Sequence, residues 1–261
     1  MKIREVLEYL ESIAPLSLQE HYDNAGLLCG SRENTLTDVL VCLDSTEAVV
    51  DEAIQKGCNL IIAHHPILFT GITSLTGHSY IERTLIKAIK NDISIYAIHT
   101  NLDNVHKNGV NQKIAKKLGV RKTRILKPVE YDKNIGAGLI GELERSWEVM
   151  AFLKHVKAEM RVSSLKYTPI IKDSIRTVAL CGGSGSFLLN DAIAQNADIF
   201  ISSDYKYHQF FDSNREIIIA DIGHYESEFY TIELIKELLS EKFTIFAAHC
   251  TDVNTNPINY L

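Results

Sequence analysis

The sequence predicts an α/β protein made of two similar αβα-layered domains, each with a mainly parallel sheet. Two observations support this. Short apolar runs alternate with amphipathic stretches, from TDVLVCLD (37–44) through STEAVVDEAIQKG, NLIIAHH and SYIERTLIKAIKND to ISIYAIHT, a strand-helix-strand rhythm. The rhythm then returns. Residues 37–65 lie over 176–204 without a gap, placing Val39 on Val178, Cys42 on Cys181, Ala53-Ile54 on Ala192-Ile193 and Leu60-Ile61-Ile62 on Ile199-Phe200-Ile201. A second match, 90–104 over 213–227, continues the likeness and points to internal duplication.

The elements follow in order. MKIREVLEYLESIAP mixes charges into apolar positions at helical spacing, which predicts an amphipathic helix rather than a signal peptide. After the first strand-helix-strand run, RKTRILKPVEYDKN (121–134) carries proline and clustered charges and predicts a crossover between the domains. NIGAGLIGELE reads as a glycine-punctuated strand, and a helix from about residue 147 to 159 and a short strand before Pro169 come next. EFYTIELIKELLSEK is a further amphipathic helix, and FTIFAAHCTDVN resembles ISIYAIHTNLDN closely enough to predict a return to a sheet edge. The predicted domains are therefore 1–128 with a C-terminal return of 229–261, and 129–228.

Composition sets the class. With 261 residues, 46% hydrophobic and 23% charged, the chain has the make-up of a globular protein with one large or two modest cores. A net charge of -6 without a lysine or arginine block argues against nucleic acid as a partner. No apolar run reaches the roughly 20 residues of a membrane span, so a cytoplasmic protein is expected. Five cysteines, none spaced C-x-x-C, predict buried reduced thiols.

Chemistry concentrates at strand ends, where ligands collect in such sheets. LIIAHHPILF ends an apolar run in His64 and His65, and Pro66 turns the backbone so that two adjacent imidazoles can converge. Alone, the pair fits either metal ligands or polar residues closing a strand. AIHTNLDN ends a strand in His99 and puts Asp103 four residues on; DIGHYESEF turns at Gly223 and opens a helix with His224 and Glu228 on one face. Three imidazoles and two carboxylates suit zinc, iron or manganese. Five ligands exceed one catalytic zinc, and two bridged metals fit the count better. Gly182, Gly183 and Gly185, between a strand and a helix, read as a tight turn or as an anion cradle. Asp23 and Asn24 read as organising a loop or as contacting substrate. His99 and His208 read as proton carriers, as partners orienting ligands, or as structural hydrogen-bonding groups.

HYDNAGLLCG (21–30), IIAHHPILF, HTNLD, GGSGSF, SDYKYH and GHYESE together resemble the NIF-three-like proteins, often labelled type-two GTP cyclohydrolase homologues or dinuclear metal centre proteins. The motifs span nearly the whole chain in family order, with Tyr22 where relatives commonly have tryptophan and Ser203 where they commonly have glycine. The resemblance implies the NIF-three-like fold and a ring-shaped homohexamer with two divalent metal ions per subunit. It implies His64, His65, Asp103, His224 and Glu228 as ligands. The expected activity is metal-dependent hydrolysis of a nucleotide or phosphoester. The family label narrows it to ring opening of GTP, with metal-activated hydroxide attacking C8 of guanine and formate released. The alternative is a non-catalytic hexameric ring serving as metal reservoir, regulatory scaffold or nucleic-acid clamp.

Overall fold

In the computed structural model, which describes residues 1–261, the chain divides into two compact units, 1–102 with 231–257, and 103–230 with 258–261. Both are mixed α/β, each with its own sheet.

The first unit opens with α1 (Ile3–Ile13), whose Ile3, Val6, Leu7 and Leu10 recur at helical spacing and are fully buried. The sheet then forms from β1 (Gly26–Cys29), β2 (Asp38–Cys42), β3 (Cys58–Ala63) and β4 (Ser94–Ala97), with β11 (Ala248–Cys250) arriving from the far end of the chain. Their order is β1-β4-β3-β2-β11, parallel throughout except for β1. The final strand takes the sheet edge, as its likeness to ISIYAIHT predicts. Helix α2 (Glu47–Lys56) connects β2 to β3: Thr46 caps it by accepting the Val49 N–H, and Gly57 ends it at φ +70°. Helix α3 (Tyr80–Lys90) connects β3 to β4, and α9 (Thr231–Lys242) leads to β11. The strands VLVC, LIIA and SIYA are buried on both faces, as the cores of parallel sheets are.

The first unit's α4 (Thr100–Asp103) runs up to the boundary at Asp103, and in the second unit α5 (Val110–Lys117) leads into β5 (Val120–Val129) and β6 (Asp132–Glu148). Helix α6 (Val149–Glu159) and β7 (Lys166–Tyr167) follow, then β8 (Ser174–Ser184), α7 (Leu189–Ala194), β9 (Ile199–Ser203), β10 (Ile218–Asp221) and α8 (His224–Glu228). The sheet order is β5-β6-β8-β9-β10-β7. Only the β8-β9-β10 centre is parallel, so this sheet is more mixed than the sequence predicts. The stretch predicted as a crossover is instead an edge hairpin. Ile125 and Leu126 are buried and Ile125 pairs with Leu139, which moves 103–128 into the second unit rather than the first. Its charges are those of an edge strand turned to solvent, and Pro128 sits near the strand end.

The repeated pattern has a structural counterpart. Val39 pairs with Leu60 and Val178 with Ile199, the same register under the ungapped match. For the last strand the correspondence shifts by one residue: Leu60 faces Ser94 and Ile199 faces Ile218, whereas the sequence match sets Ser94 on Ile217. A one-residue slip exchanges the faces of a strand, and apolar runs on both faces hide it. The arrangement is consistent with duplication. All five cysteines are free; Cys42, Cys58 and Cys181 are buried and the other two half-buried. No helix is long and apolar enough to cross a membrane.

Candidate metal centre

The first unit gathers three imidazoles. β3 pairs on both sides, and its end is extended by His64 N–H to the Cys42 carbonyl (3.1 Å) and His65 N–H to the Leu43 carbonyl (2.9 Å). Pro66 lacks an N–H and the ladder stops there. His99 follows the end of the neighbouring β4. One nitrogen from each of His64, His65 and His99 lies within 4.8 Å of those from the other two, and the ring centroids are 5.0–5.4 Å apart.

Each ring is oriented by an acceptor at Nδ1. His64 Nδ1 lies 2.8 Å from the Ile98 carbonyl oxygen, His65 Nδ1 2.8 Å from Asp44 Oδ1, and His99 Nδ1 2.8 Å from Asp23 Oδ1. Carbonyl and carboxylate oxygens only accept, so Nδ1 carries the proton and Nε2 is the lone-pair nitrogen of each neutral ring. Carboxylates and carbonyls behind imidazoles are the usual support of metal-ligating histidines. The donor set therefore fits a borderline divalent ion.

Asp44 is one of two supporting residues that sequence reasoning missed. It follows the apolar run of β2 directly, beside the strand that ends in the histidines, so its position at a strand end was the available signal. Its second oxygen accepts from the Thr255 hydroxyl at 2.8 Å. Asp23 is tied more tightly: its Oδ2 accepts the Thr100 N–H at 3.0 Å and the Thr100 hydroxyl, and its Oδ1 the Asn24 N–H at 2.7 Å. Burial works against its charge, but the bonds from His99 and Thr100 prevail and hold the carboxyl down to about 2. Because the folded value lies below the unfolded one, this contribution is present above about pH 4 and lost as pH falls toward 2. It is on the order of 2 kcal/mol. Acid titration of wild type against Asp23→Asn should show that loss only in wild type.

The second unit holds the other donors. Gly223, at φ +88°, turns the chain after β10 into α8, where His224 Nε2 lies 3.0 Å from Glu228 Oε2. His224 Nδ1 meets Asp204 Oδ2 at 2.6 Å. Burial lowers the affinity of this ring for a proton, but Glu228 and Asp204 outweigh it and push the value up to about 11. A metal held by His224 would displace that proton. A carboxylate oxygen of Asp103 lies within 4.8 Å of one from Glu228. Burial, together with Asp103 and Glu228, pushes the Cys181 thiol up, which makes it a poor nucleophile.

The glycine stretch seats these donors. Gly182 and Gly183 lie within β8, where the Gly182 N–H donates to Asn111 Oδ1 (2.9 Å) and the Gly183 N–H to Ser227 Oγ (2.9 Å). A Cβ on Gly183 would stand 2.3 Å from Glu228 Oε1, so the carboxylate packs against bare backbone. Gly185 precedes the short turn into α7 and packs against Ser202 and Cys181. Ser203, at the departure from the family pattern, donates to the Gly183 carbonyl at 2.7 Å. Asn111 also donates to the Asp103 carbonyl at 3.1 Å. A buried asparagine on the apolar face of α5 was the signal for it. His208 lies in a 3-10 helix (Tyr207–Ser213), with its ring against Tyr207 and Phe211, and is not among the converging donors.

Known proteins resemble the chain in sequence and in fold. A GTP cyclohydrolase 1 type 2 homolog of Clostridium perfringens is 36% identical over 93% of this chain and 92% of its own. The crystal structure of a Bacillus cereus protein related to NIF3 superposes with a TM-score of 0.91 at 25% identity, covering 100% of this chain and 99% of that one. Staphylococcus aureus protein SA1388 does so with 0.90 at 30% identity and the same coverage. The Duf34/NIF3 (NGG1p interacting factor 3) family model matches residues 1–257, and the chain belongs to that family.

Proposed function

We propose that His64, His65, Asp103, His224 and Glu228 together hold two divalent ions, zinc, iron or manganese, and that the protein is a metal-dependent hydrolase acting on a nucleotide or phosphoester. The observation that carries this is the trio of imidazoles, each fixed through Nδ1 by a carboxylate or carbonyl with Nε2 left as the lone-pair nitrogen. Chain geometry supports joining the two donor sets. Asp103 follows His99 by four residues, which reach at most about 14 Å.

Bound divalent ions supply Lewis-acid polarisation of a substrate oxygen and lower the proton affinity of water. The chain's own residues do the rest. Asp44 keeps His65 in the ligating tautomer. Asp23 holds His99 with its proton on Nδ1, so that this imidazole, which is not a ligand, can take up and pass on a proton at Nε2. Gly183 lets Glu228 sit close to the strand. The naming of relatives as GTP cyclohydrolase 1 type 2 homologs favours GTP as substrate, with opening of the guanine imidazole ring and release of formate. The homohexamer belongs to the same proposal, with an expected mass of six 29.3 kDa chains in sedimentation.

The test is a screen of nucleotides and phosphoesters with metal-loaded protein, with products identified by mass. Formate with loss of the purine absorbance is expected from GTP. Phosphate release in its place would replace ring opening. Bound metal with no product from any compound would overturn catalysis in favour of a metal reservoir or scaffold.

A further inference from the structure

The loop after the paired histidines has a feature that neither packing nor metal binding uses. Ile67 is buried and Leu68 packs on the core of the first unit, yet Phe69, next in line, is 52% exposed. Its ring lies nearly perpendicular to that of His99, at 79° and 5.8 Å between centroids. What sets this exposed aromatic apart from the others on the surface is its contact with an imidazole of the metal-donor cluster. The backbone that leads into it is held. Asn24 Nδ2 donates to the Leu68 carbonyl at 2.6 Å, and the Asn24 N–H donates to the carboxylate that orients His99. The Asp23-Asn24 pair thus holds the catalytic imidazole and the open aromatic in one frame.

We infer that Phe69 is the stacking face for a planar heteroaromatic base of the substrate, which makes it a specificity-determining residue beside the metal donors. The inference rests on the nucleotide reading of the site and narrows it to substrates carrying a base. An open phenyl ring offers a π face to any such base and nothing comparable to a bare phosphate chain.

The experiment titrates GTP and inorganic tripolyphosphate into the metal-loaded full chain by calorimetry, for wild type, Phe69→Ala and Phe69→Trp, with metal content measured on each. Phe69→Ala is expected to weaken GTP at least about fivefold, the loss of one stacked base. Tripolyphosphate affinity and metal content should be unchanged, and Phe69→Trp should retain GTP. Equal weakening of both ligands, no weakening of GTP, or no binding of GTP by wild type would overturn the inference. Binding is read by calorimetry and turnover by product mass, so failure of the stacking face and failure of the hydrolase register in different measurements.

Discussion

His65→Ala is expected to strip the protein of tightly bound metal, weakening affinity by more than about 100-fold, and with it any metal-dependent hydrolysis. Loss of a residue that merely supports a ligand typically costs about 10–100-fold, and loss of the ligand itself should exceed that. The fold should survive. His65 is only partly buried, at 15% exposure, and its side chain bonds to Asp44 at a strand end rather than inside the sheet. Metal content after dialysis, read beside an unchanged far-ultraviolet spectrum, checks both halves. Retention of metal and activity by His65→Ala would remove His65 from the centre.

Gly183→Ala is expected to damage stability and site together. The residue sits at φ +61°, a conformation that costs an L-residue roughly 1–2 kcal/mol. The added Cβ would also press into Glu228, which is buried at 3% exposure and has little room to retreat. A total of roughly 2–4 kcal/mol follows, lowering the melting temperature by on the order of 5–10 °C. Gly119→Ala is the matched control: it has φ +73° in the same unit with nothing within 4 Å of its Cβ, so it pays for the conformation alone. Identical shifts for the two variants would show that Glu228 does not depend on the bare backbone at 183.

These residues also show how far the sequence can be read. Parallel β2, β3 and β4 were legible because buried strands leave long apolar runs, and the histidines stood out as polar residues ending one. His224 and Glu228 were legible because a glycine turn before a helix fixes which residues share its first face. The hairpin at 120–148 was not, because an edge strand carries its charges outward and looks like a connection. Asp44 and Asn111 escaped for a different reason. Their work is to hold another residue's atom, and that depends on which strands and helices become neighbours, which spacing along the chain does not encode. The glycines at 182 and 183 were recognised as unusual, but their purpose became visible only with the Glu228 carboxylate against them.

The most direct measurement is anomalous diffraction from crystals grown with zinc or manganese. Two peaks per chain are predicted, about 3.5–4 Å apart, with nitrogen of His64, His65 and His224 and oxygen of Asp103 and Glu228 about 2.0–2.2 Å from one or other ion. A single ion held by the three histidines of the first unit alone, with Asp103, His224 and Glu228 bonded to no metal, would contradict it.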